Sequence, residues 1–170
     1  MPFRRLPSHL DVVARCHLRR GDRTHDRFQF PSLNFIPLRI FMNPRYIVET
    51  TKSPDQAVTD LHASVKEHGY GVLHIYDLKE TLASKGFELP NACHILEVCN
   101  PKQAAAVLTA DMGMNFALPC RISVYQDGGK TLIGMVRPTV LLASLSGSEE
   151  LTVIAKQVEK DTVAIIEAAK

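Results

Sequence analysis

The sequence lacks the spacings that organise a zinc site or a disulfide framework. Of its four cysteines, Cys16 stands far from Cys93, Cys99 and Cys120, no two form a CxxC pair, and no HxxxH pattern follows them. Long apolar runs are missing too. The stretch around Phe35 to Met42 is too short to span a bilayer and is broken by Pro37. With no secretory signal pattern either, the expected setting is the cytoplasm, free of membrane. Internal repeats, low-complexity segments and Pro/Gly-rich linkers are also absent.

Lysine is missing through Phe41, although eight arginines (Arg4, Arg5, Arg15, Arg19, Arg20, Arg23, Arg27 and Arg39) stand there against Asp11, Asp22 and Asp26. Those arginines are scattered among aspartates and prolines and line no helical face, which argues against a nucleic-acid or membrane arm. An organellar transit peptide is poor in acid and rich in serine; this segment has three aspartates and only Ser8 and Ser32. Residues 1–41 are therefore expected to be an extension with no fold of its own, and Met42 the start of the working chain. The chain's net charge of +2 then leaves a mildly acidic body, residues 42–170, which gives no electrostatic reason for nucleic-acid binding. A chain of 170 residues is long enough for about one domain.

What is present is a run of well-punctuated elements. Arg45 to Thr51 mixes aromatic and β-branched residues as a strand does. Ser53 and Pro54 supply an N-cap and an N1 proline for a helix running to Gly69, with Ala57, Val58, Leu61 and Val65 on one stripe. Strands are expected over Gly71 to Tyr76 and Cys93 to Cys99, with a short helix from Leu78 to Ser84 between them. Asn100 and Pro101 repeat the cap-and-proline signal for a helix ending by Gly113. Cys120 to Gln126 and Lys130 to Arg137 flank Asp127, Gly128 and Gly129, a hairpin turn that needs positive φ. Residues 138–146 read as a connection, and Ser148 caps a long final helix whose first turn carries Glu149 and Glu150. The order is β-α-β-α-β-α-β-β-α. Because the hairpin forces an antiparallel pair, an α+β fold with a two-layer, mainly antiparallel sheet and helices on one face is favoured over a doubly wound parallel sheet.

The strings HILEVCNPKQA (His94 to Ala104) and LPCRISVYQDGGKT (Leu118 to Thr131), with the approach HGYGV at His68 to Val72, resemble the family called domain of unknown function 302. The similarity extends over about Tyr46 to Ala169. It implies a compact fold of the TATA-binding-protein-like type, often dimeric, with no established activity. Gln126 departs from the acidic residue associated with its position.

Strand parity sorts the polar residues. If Leu73, Ile75, Leu96, Val98, Ile122 and Val124 face the helices, the opposite face receives His74, Tyr76, Cys93, Ile95, Glu97, Cys99, Arg121, Ser123 and Tyr125. His74, Tyr76, Glu97, Arg121, Ser123 and Tyr125 are the candidate ligand-binding residues, for a small-molecule or anionic ligand, although an ordinary polar open face or a dimer interface is the stronger explanation of them. Arg121 offers a planar fork to an anion and has Glu97 as its alternative partner. Cys99 is the candidate nucleophile, since a helix N-terminus beside a thiol favours thiolate; a plain strand-end packing role competes with this. Parity sends Cys120 to the core, away from Cys99. Adjacent Cys93 and His94 point to opposite faces, so no metal site is assigned, and no cofactor can be named. The GGKT at Gly128 to Thr131 belongs to the turn, because a phosphate loop requires a following helix. Two functions remain: a homodimeric ligand-binding or interaction module, using the open sheet face or a rim formed by the hairpin and the Cys99 to Pro101 junction, and a thiol-dependent enzyme or sulfur carrier using Cys99.

Overall fold

The structure, a computed structural model, describes residues 43–170. The Arg-rich extension and Met42 lie outside the described residues. Five strands form one antiparallel sheet: β1 (Arg45–Thr50), β2 (Gly71–Asp77), β3 (Cys93–Cys99), β4 (Cys120–Asp127) and β5 (Lys130–Val136). Their spatial order is β1-β5-β4-β3-β2, so β1 and β2 are the edges. The β4–β5 turn is closed by Gly128 and Gly129, both at positive φ, with Asp127 paired to Lys130. The α+β, antiparallel architecture expected from the hairpin is what forms.

Helices α1 (Pro54–Glu67) and α5 (Glu149–Ala169) cover one face of the sheet. Their caps are the expected ones. Ser53 accepts from the Gln56 amide, and Ser148 accepts from that of Leu151. Between sheet and helices lie Leu61, Val65, Leu96, Val98, Ile122, Val124, Ile133, Ile165 and Ile166, all essentially inaccessible to water. Burying a side chain of this size contributes about 1.5–3 kcal/mol, so this layer dominates the stability of the domain.

A second, smaller core sits beyond the end of the sheet. Here α3 (Pro101–Ala110), a 3-10 turn over Met112–Ala117, and α4 (Pro138–Leu145) meet the first half of α5. Val107, Met114, Leu142, Leu151 and Ala155 fill it. Helix α5 runs through both cores and ties them together. The short α2 (Leu78–Ala83), capped by Asp77, flanks β2 and β3.

Two features depart from the sequence reading. Residues 138–145, read as a connection, are helical. Their N-cap, Arg137, makes no side-chain capping bond, and the amide of Thr139 instead donates to Glu159 of α5 at 3.1 Å. The cap is tertiary, and the local signal is confined to Pro138 at the first helical position, with no capping residue before it. The second departure is in β2. Val72 pairs with Val98 and His74 with Glu97, which leaves Leu73 as an extra, bulged residue. Leu73 is accordingly 61% exposed and leaves the core face on which parity placed it, whereas Ile75 opposite Leu96 keeps its side.

Candidate functional site

The bulge falls before His74, so the rest of the parity assignment holds. Glu97 stands between His74 on β2 and Arg121 on β4. In the adjacent row Ile95 lies between Tyr76 and Ser123, and Tyr125 sits opposite Cys93. All six candidate ligand residues therefore share the uncovered face of three neighbouring strands. Arg121 turns its guanidinium toward Glu97, with Nη2 to Oε1 at 3.5 Å, and the His74 and Tyr76 rings meet edge-on at 4.3 Å. Ile47, Ile95, Leu132 and Val136 give the same face an apolar component. It is a broad surface with no helix packed over it.

The enclosed volume lies elsewhere. At the end of the sheet where β3 stops and β4 begins, a cavity of about 260 Å³ opens between the strands, α3, the 3-10 turn, α4 and α5. Of the predicted residues only Cys99 and Arg121 border it; His74, Tyr76, Glu97, Ser123 and Tyr125 do not. Its apolar wall includes Val98, Val107, Leu118, Leu142, Ala155 and Val158. Tyr70, Asn100, Gln103 and Cys120, with Cys99 and Arg121, are the polar members of its lining. Sequence reasoning missed Tyr70 and Gln103 as site residues. A signal for Gln103 existed: it occupies the third helical position after the Asn100 cap, where its amide donates to Asn100 Oδ1 at 3.1 Å.

The phenol and amide groups on this wall are already engaged. The Tyr70 hydroxyl donates to Gln103 Oε1 and also lies 3.2 Å from Asp161 Oδ2. Gln103 Nε2 donates to the same Asp161 oxygen at 2.9 Å, and Asn100 Nδ2 donates to the Gly69 carbonyl at 3.2 Å. Burial, then the neighbouring Asp161 charge, pushes the Tyr70 phenol well above its ordinary range, so it stays a neutral donor. Burial also drives the Cys120 thiol up to about 11, with Cys99 adding to the shift.

Cys99 is likewise pushed up by burial, opposite to the direction that a helix N-terminus alone would give. The local sequence removes several of the donors that the start of α3 could offer. Pro101 has no amide hydrogen, and the amides of Gln103 and Ala104 are taken by the side chain and carbonyl of Asn100. Near neutral pH, site-resolved mass spectrometry with iodoacetamide is expected to show Cys99 reacting several-fold more slowly than cysteine in an unstructured peptide. Faster reaction at Cys99 would overturn the burial account and revive the nucleophile. Among the described residues no group of three or more His, Cys, Asp or Glu side chains converges to hold a metal ion.

Asn100 and Cys120 thus bring the ends of two distant motifs, CNP and PCR, to one cavity, with Tyr70 of HGYGV beside them. A family model described as Domain of unknown function DUF302 matches residues 46–169, the span that contains all three. The chain belongs to the DUF302 family. A crystal structure of an uncharacterized conserved DUF302 protein from Bacillus stearothermophilus is similar to it at 34% identity and a TM-score of 0.73, covering 76% of this chain and 100% of that one. No curated relative matches. DUF302 membership fixes the fold and names no reaction.

Proposed function

We propose that this DUF302 domain is a small-molecule-binding module that works as a homodimer in the cytoplasm. The cavity of about 260 Å³ at the CNP and PCR junction carries the ligand half of this reading. It approaches the lower end of ordinary ligand pockets, roughly 300–1,000 Å³, and has the usual mixture of apolar wall and few polar groups. The homodimer half is supported by the uncovered sheet face. There Tyr76 is 38% exposed and Ile47 40% exposed, beside Ile95 and Leu132, a combination that favours association with a second apolar surface. Three unpaired cysteines among the described residues fit a reducing compartment, and no described helix is long and apolar enough to cross a membrane. The alternative thiol-enzyme reading is weakened by the raised Cys99 and Cys120 thiols.

Native mass spectrometry of the purified full chain tests both halves. The expected species is a dimer retaining a non-covalent small molecule. Tyr125→Glu, on the open face, is expected to weaken the dimer at least tenfold and leave ligand retention in place. A wild-type monomer at tens of micromolar would end the dimer reading; an empty cavity that also binds no added probe would end the ligand reading.

A further inference from the structure

The lining of the cavity restricts the charge of what can enter it. The apolar wall formed by Val107, Leu142 and Val158 offers no charge. The polar end is neutral, and Tyr70 and Gln103 are already bonded to each other and to Asp161. Asp161 stands behind this pair as a negative charge, unfavourable to a second one. Arg121, the one ionic residue among the described ones that borders the cavity, holds its exposed guanidinium 3.5 Å from Glu97 on the open sheet face, outside the cavity's apolar wall. Among the described residues no buried side-chain nitrogen or oxygen waits for a partner. An entering carboxylate would lose its water and, among the described residues, meet no cation other than Arg121, whose charge is already offset by Glu97, a cost of several kcal/mol. A neutral apolar body would instead gain about 25 cal/mol for each Å² removed from water.

Size and entrance agree with this. An apolar cavity of about 150 Å³ accommodates benzene, so a volume of about 260 Å³ corresponds to roughly ten non-hydrogen atoms. At its edge the 3-10 turn holds Phe116 outward at 82% exposure, and Val136 is exposed on the sheet side. Apart from Arg121, the mouth is apolar like the wall.

We infer that the cavity binds a neutral, largely apolar molecule of about ten non-hydrogen atoms, two fused rings or a short branched hydrocarbon with one hydroxyl or carbonyl, and rejects the carboxylate of the same body. This rests on the ligand-binding reading above and narrows it to a chemical class. The ligand's single polar group meets the Tyr70 and Gln103 end, where the second hydrogen of Gln103 Nε2 can still donate and the phenol oxygen can still accept, and its apolar body lies along α3 and α5.

Two probes with one body separate the classes: 1-naphthalenemethanol, which is neutral, and 1-naphthoate, which is anionic at neutral pH. The chain has no tryptophan, so naphthalene fluorescence can be followed without indole emission from the protein. Titration of the full chain is expected to show at least a hundredfold preference for the alcohol. Val107→Phe, which fills the cavity, is expected to reduce alcohol binding at least tenfold, and Glu49→Gln on β1 to leave it unchanged. If Val107→Phe does not fold, Ala104→Leu, half-buried on the same wall, gives the same reading. Equal or tighter binding of naphthoate overturns the charge preference while leaving a ligand site in place. Binding of the alcohol that neither filling variant reduces overturns the assignment to this cavity. Failure of both probes overturns the ligand-binding reading itself.

Discussion

Gly134→Val is expected to lower the stability of the domain by about 3 kcal/mol and to loosen β1 from the sheet. Gly134 lies on the open face of β5, opposite Ile47 of β1. A Cβ built there would stand 2.9 Å from the Tyr46 carbonyl oxygen and 2.9 Å from Ile47 Cγ1. The isoleucine can rotate away, but the carbonyl belongs to the backbone of a paired strand and cannot. Since β1 is an edge strand held in the sheet only by β5, the easiest relief is outward movement of β1. Urea unfolding should show the loss, and hydrogen exchange should place it, with faster exchange over Tyr46 to Thr50 and little change in β3. Gly134→Ala, which adds one carbon, should cost about 1–2 kcal/mol. An unchanged urea midpoint for the valine variant would mean that the two strands yield freely at this crossing.

The second large effect concerns the joint between the two cores. Glu159 of α5 accepts from Arg137 Nη1 at 2.7 Å, from the Thr139 amide at 3.1 Å and from the Thr139 hydroxyl. Burial opposes its ionisation, but the bonds from Thr139 and Arg137 outweigh that and hold the carboxyl below its ordinary value of 4.5. Hydrogen bonds to a charged group contribute about 1.5–3 kcal/mol, so Glu159→Ala is expected to destabilise by about 3 kcal/mol at pH 7. The sign with pH follows from the lowered native value. The contribution is full above the unfolded glutamate range and is lost as the pH falls through the native one. The gap between wild type and Glu159→Gln should therefore be widest near neutrality and should narrow below about pH 4.5. A gap that stays constant down to pH 3 would show that the charge of Glu159 does not hold α4.

The same residue explains what the sequence could and could not convey. Elements whose ends are marked locally were legible: Ser53 with Pro54, Asn100 with Pro101, Ser148 with its two glutamates, and the Gly128–Gly129 turn all do in the structure what their chemistry suggests. Helix α4 was missed although Pro138 occupies its first position, because Arg137 provides no cap and the group that does lies 20 residues beyond Thr139. The open face was mostly legible because parity needs only the period of a strand, and the extra residue precedes His74. The cavity was not. It draws on Tyr70, on Cys99 to Val107, on Phe116 to Arg121, and on α4 and α5. Nothing in the spacing of these segments reveals that they converge, although Cys99 and Arg121 were singled out for other reasons.

The bulge at Leu73 has a consequence for how the chain tolerates changes in its own length. Excision of Leu73 would leave Val72, His74, Ile75 and Tyr76 in unbroken alternation, each on the face it now occupies. Elsewhere the sheet has no such slack. Loss of one residue within β3 would turn Leu96 or Val98 toward water, and loss of one within β4 would do the same to Ile122 or Val124. Deletions are therefore affordable on the β2 edge at a single position, and a one-residue insertion is already in place there.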